Sequence, residues 1–270
     1  MKACGRMMLF FFILLTTTCV AQHDNGIDPE ALIDRILAVD RNQAGQLHDV
    51  VLEAEYVEGE DDRKNGFCEK VRLVKKVYIM YCEDSVWFHE DYLEYYKDGQ
   101  LRSEEDLRKE AQERLEKKRK HKILDISHPI LRPFHPERRN LYEITYLGVA
   151  AERVEGFVCH QFQVRAIEES DTLLNGDYYF EAEAFHLVRV DFSPARLVKK
   201  MMFRLKELSM SILYGPADDD IWLPRQFSIR GKGKTAFFFG VDFAGTEYYR
   251  NPIINDGLEA SIFEENNGGE

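Results

Sequence analysis

Beyond its first twenty residues the sequence has no apolar run near the roughly 20 residues that a membrane-spanning helix needs, so the body of the chain reads as water-soluble. No CxxC occurs, which leaves no thioredoxin-type site and no cysteine zinc site. GxSxG is missing, so a nucleophile-elbow hydrolase finds no support, and HExxH is missing too. Cationic residues are in deficit. Lys and Arg number 36 against 48 Asp and Glu, a formal charge of −12, whereas a general nucleic-acid binder needs clustered positive charge. Gly231-Lys232-Gly233-Lys234 is glycine-rich and basic but lacks the GxxxxGK[ST] spacing; lying between two strands, it reads as a hairpin turn. From Leu141 to Arg250 there is no helix long enough for a parallel crossover, which argues against a βαβ sheet.

That same stretch is full of strands. Tyr142–Tyr146, Phe157–Ala166, Asp177–Ala182, His186–Phe192, Lys200–Tyr214, Trp222–Ile229 and Thr235–Tyr249 follow one another with Gly, Pro, Asn and Asp between them, as in an antiparallel meander. Three more strands are expected earlier, Asp49–Val57, Phe67–Tyr81 and Val86–Tyr96. The expected fold is a large, strongly curved antiparallel sheet with helices, an α+β class. At 270 residues, 44% hydrophobic and 31% charged, one large domain has enough material for its core.

Strand parity separates two faces, because successive side chains alternate. Phe237, Phe239, Val241 and Phe243 fall on one side; the run of three phenylalanines leaves the opposite parity open in that strand. Val188, Val190 and Phe192 line up with His186, and Val158, Phe162 and Val164 share a face with His160. An apolar sheet face must be covered by helices, by another sheet or by a ligand.

Residues 1–21 read as a secretory signal peptide: Lys2 and Arg6, an apolar run from Met7 to Leu15, then small residues up to Ala21. The expected location is the periplasm, with lipid anchoring through Cys19 as the alternative. Export permits disulfides, and Cys68, Cys82 and Cys159 remain. A Cys68–Cys82 bridge would span one strand, pairs with Cys159 stay open, and three small buried thiols are the simplest reading.

Asp28, Pro29 and Glu30 start a helix whose Leu32, Ile33, Ile36 and Leu37 form an apolar stripe to about Val39. A second helix is expected at 103–122, capped by Ser103, with acids in its first turn and Lys117–Lys122 at its end. Its apolar line of Leu107, Ala111 and Leu115 is narrow, so it reads as a solvated projection, with a lid or docking arm as the functional alternative. Residues 125–140, with Pro129, Pro133 and Pro136, read as a connecting loop, and 256–270 as a polar, disordered tail. The single domain would thus cover 22–255. Chemistry is thin: His121, His128 and His135, spaced by seven, and His160 read as surface histidines rather than zinc ligands, and Asp218-Asp219-Asp220 as a polar turn rather than a calcium site. No catalytic set, cofactor or metal site is expected.

Together the leader, the amphipathic helix and the meander resemble the bacterial periplasmic outer-membrane lipoprotein-sorting (LolA-like) family. The echoes are Tyr142-Glu143-Ile144 leading to Val154–Cys159, then Gly176–Phe180, Phe185–Val190, and Ile221-Trp222-Leu223-Pro224-Arg225. The resemblance implies an incomplete β-barrel covered by helices, and a cavity that carries lipoprotein acyl chains between partner proteins of the inner and outer membranes. On that reading the ligand-facing set is Phe237, Phe239, Val241, Phe243, Val188, Val190 and Phe192, chosen by parity. The readings from other classes are a non-catalytic cell-envelope scaffold or interaction module with a filled core, and an exported hydrolase.

Overall fold

The computed structural model describes residues 28–62, 66–82, 85–120, 130–170, 172–197, 199–200, 203–218, 220–235 and 239–263. The leader with Cys19, His121, Lys122, His128, Asp219, Phe237 and residues 264–270 lie outside them.

Helix α1 (Pro29–Gln46) begins as its sequence dictates: the Asp28 carboxylate accepts the Glu30 N–H at 3.0 Å, and Pro29 occupies the first turn. It runs a full turn or more past Val39. Then come β1 (Asp49–Asp62), β2 (Gly66–Tyr81), β3 (Val86–Lys97) and the two-residue β4 (Gln100–Leu101). After α2 (Glu104–Lys120) and the short α3 (Pro136–Arg139), the meander continues as β5 (Tyr142–Val149), β6 (Cys159–Ala166), β7 (Leu174–Glu181) and β8 (Leu187–Pro194). It ends with β9 (Lys199–Lys200), β10 (Phe203–Pro216), β11 (Trp222–Thr235) and β12 (Phe239–Ile254).

All these strands form one antiparallel sheet in the order β4-β3-β2-β1-β12-β11-β10-β8-β7-β6-β5, with β9 beside β10. Its two edges, β4 and β5, do not pair with each other, so the barrel is incomplete. The β5–β6 connection includes a tight turn in which Glu155 and Gly156 both take positive φ, as a two-residue hairpin of the primed type requires.

The insertion lies between β4 and β5. Those strands are opposite edges of the sheet, and α2 packs against β3 beside one of them. Helix α2 is therefore not a solvated projection. Ser103 caps it, its hydroxyl accepting the Asp106 N–H at 3.2 Å, but Arg114 turns inward, over the Tyr56 ring at 5.0 Å and onto Glu58 of β1 at 3.2 Å. Nor are residues 130–140 a mere connecting loop. A 3-10 turn, Arg132–Phe134, drives Phe134 completely into the core, and Leu131 and Pro133 are buried beside it. The described part of the C-terminal tail is ordered as well: Ala260–Phe263 forms a 3-10 turn, and the buried Phe263 ring meets Trp87 at 6.0 Å.

Gly231-Lys232-Gly233-Lys234 also departs from expectation, since it lies inside β11 rather than in a turn. Gly231 faces Phe243 across the β11–β12 pair, and a Cβ built on it would stand 2.2 Å from the Phe243 ring. The glycine leaves room for an aromatic ring to lie across the strand. Cys68 and Cys82 are exposed and Cys159 buried, all three free. Burial pushes the Cys159 thiol up to about 11.

Candidate functional site

The two faces of the sheet differ as parity predicts, but their covers could not be read from local pattern. On the helix-bearing face, Leu32, Ile33, Ile36 and Leu37 of α1 pack with Leu131 and Phe134 over Phe162, Val164, Tyr178, Phe180, Val190 and Phe192. Each such side chain contributes roughly 1.5–3 kcal/mol on burial. Polar bonds fix the ends of the cover. The Gln43 amide donates to the Trp222 carbonyl at 3.1 Å and accepts the Trp222 N–H at 2.9 Å, and Arg139 pairs with Glu30.

The other half of that face, under α2, is ionic. Lys75 of β2 is buried and pairs with Glu90 of β3 and with Glu247 of β12 at 2.7 Å; the Tyr92 hydroxyl donates to Glu90 at 2.8 Å. Burial disfavours the Lys75 ammonium, but Glu247 and Glu90 together overcome it and its pKa is raised. Next to it Tyr56 donates to Glu58 at 3.1 Å, and Arg114 also holds Glu110 at 2.7 Å.

Between the two covers runs an apolar strip. Leu208, Gly231 and Phe243 make one cross-strand row, and Met210, Ile229 and Gly245 the next. Met210 belongs to the cluster under α1, whereas Gly245 abuts Tyr56 on the α2 side. Leu208, Ile229 and Phe243 in this strip are half-buried.

The expected ligand-facing residues therefore have different surroundings. Val190 and Phe192 are buried with α1, while Val188 packs in a separate cluster with Cys159 and Trp222. A one-residue bulge where β7 meets β8 accompanies this split, pairing Phe180 with Leu187 directly after Tyr179 with Arg189. Phe243 is half-buried in the strip; Phe239 and Val241 lie on β12 with the same backbone parity. Val158, expected to share the face of Phe162 and Val164, stands before β6 and is 40% exposed.

His160 is not a surface histidine. It is buried, its ring 5.7 Å from that of Phe185 and its Nδ1 2.9 Å from the Tyr146 hydroxyl. His186 is likewise buried, stacked on Trp222 at 5.2 Å. Burial lowers the pKa of both. The folded protein thus holds them neutral, while the unfolded chain takes up protons as pH falls through the ordinary value near 6.5. Their linkage is absent above that pH, and stability is lost below it. Thermal midpoints measured from pH 7 to pH 5 should fall, and the slope should flatten in His160→Gln/His186→Gln. An unchanged slope would refute the assignment. Among the described residues, no group of three or more His, Cys, Asp or Glu is arranged to hold a metal ion.

A cavity of about 1100 Å³ lies on the sheet face away from the helices, and its lining includes Arg189, Asp191, Ser211, Ser228 and Thr246. Val57, Phe67 and Leu213 also line it, so it mixes polar and apolar groups where an apolar hollow was expected.

Comparison with solved structures follows from this architecture. The chain resembles lipoprotein-sorting proteins of the LolA superfamily, at low sequence identity. A DUF1329 family protein from Desulfovibrio piger matches with 14% identity and a TM-score of 0.46, over 88% of this chain and 98% of the other. An outer membrane lipoprotein-sorting protein domain from Vibrio parahaemolyticus matches with 11% identity and a TM-score of 0.39, over 87% and 98%. A LolA superfamily protein from Nitrosomonas europaea matches with 9% identity and a TM-score of 0.34, over 88% and 97%. No protein-family model and no curated protein matches the sequence.

Proposed function

We propose that the chain is an exported, non-enzymatic carrier that shelters acyl chains of lipoproteins, or another hydrophobic ligand, on the helix-bearing face of its sheet. The reading rests on one observation: the partly buried strip of Leu208, Ile229 and Phe243, at the margin of the α1 cluster and on the way to α2. An acyl chain in water gains about 0.8 kcal/mol for each methylene it buries, so such a strip offers both a dry surface and a modest, reversible affinity. Phe239 and Val241 would extend it along β12. The site of action would be the periplasm, between partner proteins of the inner and outer membranes.

Native mass spectrometry of the protein purified from exporting cells, followed by lipid extraction, tests this. Co-purified acyl lipid is expected, and Phe243→Asp should remove it, since a carboxylate placed in an apolar contact must be desolvated. An empty protein that, while folded, also fails to bind a hydrophobic dye would defeat the carrier reading.

The second reading, a non-catalytic envelope scaffold or interaction module, draws on the burial of Val190 and Phe192 in the cluster under the protein's own α1. It predicts that Phe243→Asp leaves every bound species unchanged.

A further inference from the structure

We infer that the polar face of the sheet is a binding site for a neutral, extended oligosaccharide, independent of any ligand on the helix-bearing face. Cross-strand register carries the argument. Gln163, Asp177, Asp191, Ser211, Ser228 and Thr246 are successive partners on β6, β7, β8, β10, β11 and β12, and so form one continuous polar row. Neighbouring strands lie about 4.8 Å apart, so the row is on the order of 24 Å long. All but its first residue line the 1100 Å³ cavity, which exceeds the roughly 300–1,000 Å³ of ordinary small-molecule clefts. A periodic row of amide, carboxylate and hydroxyl groups suits a ligand that repeats its own hydroxyls at similar intervals.

Three features narrow the occupant. Charge is balanced in the lining, with Arg165, Arg189 and Arg230 against Asp177, Asp191 and Glu155, although the chain as a whole carries −12. A polyanion has no excess of cations to meet, and although Val57, Phe67 and Leu213 also line the cavity, a lipid tail would strip water from its hydroxyls and carboxylates without replacing it. The row runs over interior strands whose backbone groups are already paired, so a peptide cannot dock by strand addition and the ligand must be read by side chains. The hydroxyls of Ser193, Ser209 and Ser211 have no hydrogen-bond partner among the described residues and are available to it.

One further detail sets this face apart from a merely solvated one. Asp177 and Asp191 stand directly opposite each other, a like-charge pair that costs a sheet stability. Each is held by an arginine, Asp177 by Arg165 at 3.5 Å and Asp191 by Arg189 at 2.8 Å. Carboxylates fixed in this way are oriented acceptors for ligand hydroxyls, and charge-assisted hydrogen bonds are the strong ones. Tyr248, the partner of Gln226 in the adjoining row, also lines the cavity.

Isothermal titration calorimetry on the folded chain, with neutral hexasaccharides of β-1,4-linked glucose and of β-1,4-linked N-acetylglucosamine beside a neutral hexapeptide, tests the inference. At least one hexasaccharide should bind. Asp177→Asn/Asp191→Asn should weaken it about tenfold or more, as the loss of charge-assisted bonds requires, while the thermal midpoint holds or rises because the like-charge pair is gone. Ser228→Trp, which fills the middle of the row, should abolish binding. The inference is overturned if neither hexasaccharide binds at millimolar concentration, if binding is unchanged in both variants, or if the hexapeptide alone binds.

Discussion

Replacing Lys75 by methionine should destabilise the protein by about 3–5 kcal/mol, since it strands buried carboxylates without their cation. Glu90 and Glu247 come from different strands and both pair with this ammonium, and their side chains are almost as buried as that of Lys75. Against a total stability of about 5–15 kcal/mol, such a loss displaces the urea midpoint far towards zero. The informative companion is Lys75→Met/Glu90→Gln/Glu247→Gln, which removes every charge of the triad together. Replacing a whole buried ion network is often nearly neutral, so most of the lost stability should return. If the single change costs under about 1 kcal/mol, the triad behaves like a surface ion pair and α2 does not shield it from water.

That triad was not legible in the sequence. Lys75 falls within a strand rich in basic residues, and only the pairing of β2 with β3 on one side and of β1 with β12 beyond shows which lysine turns inward. Strands themselves were legible because a period of two is a local signal. The expected segments overlap β1 to β3, β5 to β8 and β10 to β12, with β1 and β11 running further than expected and β10 and β12 shifted towards the C-terminus. Faces were legible for the same reason in β8, where Val190 and Phe192 do point to the apolar side.

What covers a face is a long-range property, and there local reasoning failed in both directions. Helix α2, with so thin an apolar line, reads as solvated until β4 and β5 turn out to be opposite edges of the sheet. There α2 packs against β3 and reaches β1 through Arg114. Gly231 reads as a turn residue because glycine most often is one; its purpose here is to admit the ring of Phe243 from the neighbouring strand. His160 and His186 share strand parity with apolar residues, a weak mark of burial, but their aromatic partners Phe185 and Trp222 are set by tertiary packing.

Phe134→Ala should cost about 3–5 kcal/mol, the range for deleting a fully buried phenylalanine. Phe134 has no solvent exposure and meets three rings edge-on, Phe162 at 5.8 Å, Tyr178 at 5.1 Å and Phe180 at 5.6 Å. Edge-to-face pairs add roughly 0.5–1.5 kcal/mol beyond burial, so truncation loses geometry as well as area. The residue also sits at the centre of the cover. The Tyr178 hydroxyl donates to the Ile130 carbonyl at 3.1 Å, which ties the 130–134 segment to β7, and α1 packs over the same cluster. Phe134→Leu should recover a good part of the loss, because it keeps most of the volume and sacrifices only the ring contacts. A carrier and a scaffold then differ in one respect. If the helix-bearing face shelters acyl chains, the cavity left by Phe134→Ala opens beneath α1 and should take up added fatty acid, restoring part of the thermal midpoint in proportion to ligand concentration. A scaffold whose face is closed should stay destabilised at every concentration of fatty acid.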